Sequence, residues 1–125
     1  MLPTLRDYPI AAATVAYLDS NISWSATSGE TVILASVPGD LVTDLQNAKI
    51  IADPLYELTF LANASWWAEP RNWTYSTIFS LPAAAPGTSQ LLVFDGIKMG
   101  ARILVNGLLV GIATNQFVRL VFPLL

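Results

Sequence analysis

The sequence predicts an all-β fold, a sandwich or a barrel of many short strands. Short apolar runs recur along the chain, turn residues separate them at near-regular spacing, and several runs are rich in β-branched and aromatic residues. The chain has 125 residues, so we expect no more than one domain. Hydrophobic residues make up 54% of it and charged residues 12%, a balance that excludes an intrinsically disordered chain.

Six segments have the pattern of strands: residues 31–36, 73–81, 90–94, 101–105, 108–112 and 117–122. In the second segment Trp73 and Tyr75 alternate with polar residues, which indicates a half-buried strand. The third segment is apolar almost throughout, as expected of a strand that is buried on both faces. Asn106 and Gly107 separate the fourth and fifth segments and predict a hairpin, because a type I′ turn needs positive φ at both central residues.

One segment has the period of a helix instead. Leu41, Leu45 and Ala48 recur at i, i+4 and i+7, so they lie on one helix face. Asp40 lies in the first turn, where the helix dipole favours a carboxylate. We therefore expect one short helix near residues 40–49, covering one end of the sheets.

Two carboxylates of this helix lie one turn apart. Asp40 and Asp44 share a face, and paired carboxylates can perform general acid/base chemistry. A solvated helix face explains the same spacing more simply. We therefore expect these two residues to be solvent-exposed and not catalytic.

The absence of two residue types excludes several kinds of site. The chain contains no His and no Cys, which excludes His or Cys metal sites, disulfides, thiolate nucleophiles and a Ser-His-Asp triad within it. We expect neither a metal nor a cofactor. The net charge is −3 without a basic cluster, so nucleic acid is not an expected partner. No uncharged apolar stretch reaches the ~18 residues that a membrane-spanning helix needs.

The first 17 residues are predicted to be an N-terminal extension, with the domain running from 18 to 125. An apolar stretch follows Arg6, as in a secretory signal peptide. Asp7 and the lack of a small-residue cleavage site favour an extension that leads into the first strand. A signal segment remains the alternative interpretation.

Aromatic residues cluster in the middle of the chain. Trp66, Trp67 and Trp73 lie within eight positions, with Tyr56 and Tyr75 nearby. Aromatic faces can stack on sugar rings, so these residues could form a carbohydrate platform. For Trp73 and Tyr75 a core position fits better, because they alternate with polar residues. Trp66 and Trp67 lie outside any strand pattern, and both interpretations stay open for them.

Three Asn-x-Ser/Thr triplets are potential N-glycosylation sites. They begin at Asn21, Asn63 and Asn72. Each triplet is a weak pattern, and chance matches are common. The third adjoins a predicted strand, which disfavours modification there.

The order of several short motifs is more specific than any one of them. The motifs are VPGD at 37–40, TDL at 43–45, IADP at 51–54, WTY at 73–75 followed by Phe79, LVFDGI at 92–97, ARILVNG at 101–107, VG at 110–111 and NQF at 115–117. In this order they resemble the opening of β-mannosidases of glycoside hydrolase family 2, over residues 18–122. The resemblance implies the family's N-terminal jelly-roll, a galactose-binding-like β-sandwich, here truncated at its C-terminal end so that its last strands are missing.

The resemblance also implies where the chemistry lies. Family enzymes hydrolyse terminal β-D-mannosides with retention, using two glutamates on a later (β/α)₈ barrel, and the acid/base belongs to an Asn-Glu dipeptide. The chain contains no Asn-Glu dipeptide, and 125 residues cannot hold a barrel of ~250 residues. We therefore expect no catalytic residue in this chain, which would pack on the barrel and form one wall of the sugar pocket. Family members suggest a lysosomal or secreted location.

Four residues are candidates for contact with carbohydrate: Asp53, Tyr56, Trp66 and Trp67. The first two resemble the start of the family's D-P-F-Y-G-x-N-E segment, of which the G and N-E parts are missing here. One alternative is a free-standing carbohydrate-binding module that uses these residues. Another is a structural or interaction sandwich with no role in sugar binding.

Overall fold

The computed structural model describes residues 15–56, 62–63, 66, 71–81, 83–98 and 100–124 of the chain. These residues form seven strands and one helix: β1 (Trp24–Ser28), β2 (Thr31–Ala35), α1 (Leu41–Asn47), β3 (Thr74–Thr77), β4 (Gln90–Phe94), β5 (Ala101–Val105), β6 (Leu108–Ala113) and β7 (Leu120–Leu124). Every strand pair is antiparallel, so the predicted all-β class is confirmed. The elements belong to two compact units, one within Val15–Leu81 and one within Pro82–Leu125.

The first unit is a three-stranded sheet with a helix on one face. The strand order is β2-β1-β3, and Ala26 of β1 pairs with Ile33 on one side and Tyr75 on the other. Leu45 of α1 packs on this face, and the core consists of Ala26, Ile33, Leu45 and Ile51. A small residue at the centre of the sheet leaves room for the helix to approach it closely.

Helix α1 begins and ends at residues that satisfy its free backbone groups. Asp40 is the N-cap, and its Oδ1 accepts a hydrogen bond from the Thr43 amide at 2.8 Å. Its Oδ2 accepts from the Thr43 hydroxyl at 2.9 Å. The helix ends at Asn47, and Lys49 reverses the chain with a φ of 60°. The predicted helix near residues 40–49 is confirmed, one residue shorter at its start and two at its end.

The second unit contains two pairs of strands. Strand β4 pairs with β7, and β5 pairs with β6. Their common core consists of Ile103, Ala113, Leu120 and Phe122. The Phe122 ring meets Phe94 edge to face, with 6.3 Å between the ring centroids, an arrangement that aromatic pairs favour.

The hairpin of β5 and β6 turns at Asn106 and Gly107, as predicted. Their φ angles are 51° and 79°, so both residues are left-handed, as a type I′ turn requires. The ladder is irregular between Ile103 and Leu104, because Ile103 pairs with Gly111 whereas Leu104 pairs with Leu109. One residue of β6, Val110, is therefore left over as a bulge.

Strand β1 was not predicted, although it is the central strand of its sheet. Its sequence WSATS contains only two apolar residues, Trp24 and Ala26, among small polar ones. Ala26 is fully buried nonetheless, because β1 has a strand on either side and a helix above. A small central residue gives a weak apolar signal in the sequence even where its burial is complete.

Strand β3 is shorter than the predicted segment 73–81. The predicted alternation is correct, since exposure alternates from Trp73 to Ser80 and Ile78 faces solvent. Hydrogen-bonded pairing ends at Thr77, however, because Thr77 is opposite Trp24, the first residue of β1. The length of β3 is thus set by its neighbour and not by its own sequence.

Strand β7 is shifted from the predicted 117–122 to Leu120–Leu124. Phe117 lies in a turn, where its amide donates to Asn115 Oδ1 at 2.9 Å, and its side chain is exposed. Pro123 lies inside the strand, opposite Leu91, and β4 is the one strand that pairs with β7 in the described part of the chain. Proline is tolerated there because an edge strand has one side without ladder hydrogen bonds.

Strand β4 has the predicted bounds but not the predicted burial. Its residues are half-buried apart from Val93, which is 39% exposed. The prediction of burial on both faces is therefore wrong. In a two-stranded ladder alternate side chains point to opposite faces, and here the side of Val93 remains open to solvent.

No helix in the described part of the chain is long and apolar enough to cross a membrane.

Candidate functional site

Two of the four predicted carbohydrate contacts lie in one exposed turn. The Tyr56 amide donates to the Asp53 carbonyl at 3.1 Å, and the Leu55 amide donates to Asp53 Oδ1 at 2.9 Å. These two bonds define an Asx-type turn, in which Asp53 accepts hydrogen bonds from the backbone amides of the residues that follow it. The Tyr56 side chain is 64% exposed, so a phenol and a carboxylate reach solvent three residues apart.

The third candidate, Trp66, lies against the core of the first unit. Its ring is half-buried and packs beside Trp73, with 6.4 Å between the ring centroids and a tilt of 42°. The Trp73 indole N–H donates to the Trp66 carbonyl at 3.2 Å. The Arg71 guanidinium lies 4.4 Å from the Trp66 ring centroid, a cation–π contact that occupies one face of the ring. Trp67, the fourth candidate, lies outside the described residues.

Trp73 and Tyr75 have the core positions that their alternation predicts. Both are half-buried and pack against the cluster under α1. Trp73 does so through its ring and its bond to Trp66, and Tyr75 through its ring and its hydroxyl. Within the described part of the chain, the structure thus joins Trp66 and Trp73 into one aromatic pair, while Asp53 and Tyr56 share a separate turn.

Asp44 is buried, contrary to the prediction of a solvated helix face. Only 1% of it is exposed. Its Oδ1 accepts from the Ser36 amide at 3.1 Å, and its Oδ2 accepts from the Tyr75 hydroxyl at 2.9 Å. Asp40, one turn earlier, caps the helix in solvent, whereas Asp44 turns with Leu45 toward the sheet. The carboxylate therefore joins the loop after β2, the helix and β3.

The Tyr75 hydroxyl is perturbed by this arrangement. Burial raises the pKa of Tyr75 well above its usual range of about 10, and the hydrogen bond to Asp44 raises it further. The negative charges of Asp44 and Asp40 act in the same direction. The phenol is therefore held as a neutral donor and serves to anchor the carboxylate.

One cleft in the first unit lies between β2 and the end of α1. Its volume is about 350 Å³, and it is lined by Val32, Ile33, Leu34, Asn47, Ala48 and Ile50. Among the described residues the lining is apolar apart from one carboxamide, so these residues supply no group suited to acid/base catalysis. Within the described residues, no cluster of three or more acidic side chains could hold a metal ion.

The comparison with protein families extends over both units. A model of the glycosyl hydrolase 2 galactose-binding domain-like family matches residues 23–124. The chain belongs to this family. The matched stretch begins at the residue before β1 and ends with β7, so it includes every strand described above. The prediction of glycoside hydrolase family 2 from motif order is confirmed, and the antiparallel strands with one short helix fit the β-sandwich of this galactose-binding-like domain.

Several relatives of this glycosyl hydrolase 2 domain are β-mannosidases. The chain is 35% identical over 103 residues to the β-mannosidase of Rattus norvegicus, a match that covers 80% of the chain and 12% of that enzyme. It is 34% identical over 98 residues to the enzyme of Mus musculus, covering 76% and 11%. It is 32% identical over 84 residues to β-mannosidase B of Aspergillus terreus, covering 67% and 10%.

The galactose-binding-like domain thus spans about a tenth of the length of the curated relatives that it matches. No solved structure matches the chain. The family assignment therefore rests on the sequence match and on the agreement between the matched stretch and the described strands.

Proposed function

We propose that this chain is the non-catalytic β-sandwich domain, over residues 18–125, of a larger β-mannosidase-like glycosidase. The observation that carries the proposal is the family match over residues 23–124 together with relatives that are named β-mannosidases. The parent enzyme hydrolyses terminal β-D-mannosides with retention, by two glutamates on a (β/α)₈ barrel. This domain packs on that barrel and forms one wall of the sugar pocket.

The surroundings of two carboxylates support a non-catalytic role. A retaining glycosidase needs two carboxyl groups roughly 5–5.5 Å apart across an open sugar site. Both oxygens of Asp44 accept hydrogen bonds inside the first unit, and both oxygens of Asp40 accept from Thr43. Asp40 and Asp44 are the closest pair of carboxylates in sequence among the described residues. Their hydrogen bonds cap the helix and attach it to the sheet.

Hydrolysis assays of the purified chain test its lack of catalysis. The substrate is a chromogenic β-D-mannoside, and the β-mannosidase of Rattus norvegicus, assayed at the same molar concentration, is the positive control. We expect the relative to release the chromophore and this chain to match the buffer blank. Release above the blank that increases with the concentration of the chain would overturn the non-catalytic role.

The source transcript tests the parent activity. We expect the reading frame to continue past codon 125 into a (β/α)₈ barrel that contains an Asn-Glu dipeptide and a second glutamate. The longer product should hydrolyse the β-mannoside faster than the matched β-galactoside or β-glucuronide, and NMR should detect the β-anomer of mannose first. A longer product that cleaves another glycoside in preference, or that yields the α-anomer first, contradicts the proposal.

Direct sugar binding is a second candidate, favoured by the exposed turn of Asp53 and Tyr56. Mannose and β-mannosides are titrated by calorimetry into the chain and its variants, and in the wild type the chemical shifts of the Tyr56 ring are followed as well. If the turn binds sugar, Tyr56→Ala and Asp53→Asn should each weaken binding by tenfold or more. Tyr17→Ala, which removes another exposed tyrosine, is the matched control and should leave the affinity unchanged. Equal affinities in all three variants would exclude this turn as the binding site.

A further inference from the structure

The three Asn-x-Ser/Thr triplets differ in the surroundings of their asparagines. The Asn21 carboxamide donates to Asp19 Oδ1 at 2.8 Å, and the Asn21 amide donates to the same oxygen at 3.1 Å. Asn63 is half-buried, and its carbonyl accepts from the Trp66 amide. The Asn72 side chain is exposed and makes no hydrogen bond with any residue that the structure describes. Asn72 is thus the triplet asparagine whose side chain is exposed and without a hydrogen bond to a described residue, whereas Asn21 is exposed but bonded to Asp19 and Asn63 is half-buried.

The triplet at Asn72 is arranged so that its two recognition residues point to solvent. Trp73, the middle residue, is half-buried and packs on the core of the first unit. Asn72 and Thr74 on either side of it are exposed, as the alternation of an extended chain predicts. Thr74 is the first residue of β3 and stands opposite Thr27, on the face of the sheet away from α1. The neighbouring strand, which was expected to disfavour modification, therefore leaves the side chains of Asn72 and Thr74 exposed.

We propose that Asn72 is an acceptor of an N-linked glycan. The donor is an oligosaccharide joined through a diphosphate to a lipid. The Nδ2 atom of Asn72 forms a bond to the anomeric carbon as the bond from that carbon to the diphosphate oxygen breaks. The amide proton passes to a base of the transferase, and the lipid diphosphate leaves. The Thr74 hydroxyl supplies the second recognition group that the triplet requires.

The glycan would project from the face of the first sheet that is opposite to α1, at β3. Among the described residues β3 pairs with β1 alone, and the face that holds Thr74 also holds hydroxyl groups of Ser25 and Ser76, which lie 3.2 Å apart. The same face holds Val32 and Leu34 of β2, which are exposed, so a glycan at Asn72 would lie on a face with exposed apolar side chains. Attachment displaces no hydrogen bond of Asn72 with a described residue. A bulky hydrophilic group beside β3 would also cover a strand edge that could pair with another chain.

Expression of the full chain behind a secretion leader in eukaryotic cells tests the proposal. Total cell protein is treated with a peptide:N-glycosidase and analysed by gel mobility and peptide mass, so that a product retained in the cell is still measured. We expect an enzyme-sensitive glycan on Asn72, lost in Asn72→Gln and in Thr74→Ala. The control Thr74→Ser keeps a hydroxyl and should keep the glycan. The variants Asn21→Gln and Asn63→Gln should retain the modification at Asn72.

Two results would overturn the proposal. One is a chain that enters the secretory pathway, shown by cleavage of its leader, yet has no glycan on the peptide containing Asn72. The other is a glycan whose removal requires Asn21→Gln or Asn63→Gln while Asn72→Gln has no effect. Because the readout is peptide mass, neither result depends on glycosidase activity, and the proposed function is tested separately.

Discussion

The Tyr75 hydroxyl donates a hydrogen bond to Oδ2 of Asp44 at 2.9 Å, across the space between strand β3 and helix α1. The other oxygen of the same carboxylate accepts from the Ser36 amide, just after β2. A single buried side chain thus joins the helix to β3 and to the loop after β2, in addition to the apolar contacts of Leu45. Buried carboxylates are tolerated where their oxygens are hydrogen-bonded, as both are here.

Replacing Asp44 should destabilise the first unit substantially. Asp44→Ala leaves the Ser36 amide and the Tyr75 hydroxyl without their acceptor, and we expect a loss of about 2–3 kcal/mol in the free energy of unfolding. Urea unfolding followed by circular dichroism measures both variants, and tryptophan fluorescence reports on this unit, which contains Trp24, Trp66 and Trp73. Asp95→Ala is the control. Its ion pair with Arg119 is largely exposed, so it should cost less than about 1 kcal/mol. Equal losses in the two variants would contradict the role assigned to Asp44.

Tyr75 should make stability depend on pH in the alkaline range. Its pKa is raised in the folded chain by burial first and by the hydrogen bond to Asp44 second, so the unfolded chain loses its proton at lower pH. The stabilisation is therefore complete below about pH 10, the unfolded value, and declines as the pH rises above it. The free energy of unfolding of the wild type should fall more steeply between about pH 9 and 11 than that of Tyr75→Phe.

The control for this pH profile is Tyr56→Phe, which removes an exposed hydroxyl. It should follow the wild-type curve, while Tyr75→Phe starts lower at neutral pH by about 1 kcal/mol and approaches the wild type in alkali. Denaturant titrations at each pH measure all three. Parallel curves for wild type and Tyr75→Phe would show that the phenol is not titrating differently in the two states.

The N-cap of α1 should be sensitive to the identity of its side chain. Asp40 accepts from the Thr43 amide, so Asp40→Ala should lower the free energy of unfolding by about 1 kcal/mol. Asp40→Ser can still accept this bond and should recover most of the loss. Thermal unfolding by circular dichroism measures the difference. A serine variant as unstable as the alanine variant would indicate that the charge, and not the cap, provides the stabilisation.

Gly111 should not accept a larger side chain. A Cβ at this position would overlap the Phe122 ring, the largest fully buried side chain of the second unit. We expect Gly111→Ala to cost about 1–3 kcal/mol through overpacking. Phe122→Leu removes the ring atoms that collide, so in the double variant the cost of Gly111→Ala should shrink. A double-mutant cycle in urea measures this coupling, and strictly additive losses would contradict the overlap.

The sequence predicted the elements with strong apolar patterns and missed those that depend on neighbouring strands. The runs of β4 and β5 and the Asn106-Gly107 turn carry their own signals, and the structure contains them at the predicted positions. Strand β1 carries almost none, because its one fully buried residue is Ala26. Its position between two strands is a tertiary property that no local pattern expresses.

In the candidate site, too, features with a local sequence pattern were predicted and features that depend on distant residues were not. The alternation of Trp73 and Tyr75 correctly predicted their core positions. The spacing of Asp40 and Asp44 gave the wrong environment for Asp44, because two residues one turn apart share a helix face only approximately. Whether the second carboxylate is buried depends on a tyrosine 31 positions away in sequence. The contact of Arg71 with Trp66 likewise has no sequence signature, since neither residue lies in a periodic segment.

The irregular ladder at Val110 has a consequence for how this hairpin can vary among homologues. Because Val110 has no partner across the ladder, a homologue that lacked it could pair Gly111 and Leu109 with consecutive residues of β5 without shifting the register at either end. We therefore expect deletion of Val110 to keep the pairing on both sides and to lose only its contact with the core, whereas length changes anywhere else in β6 would turn the side chains beyond them to the opposite face.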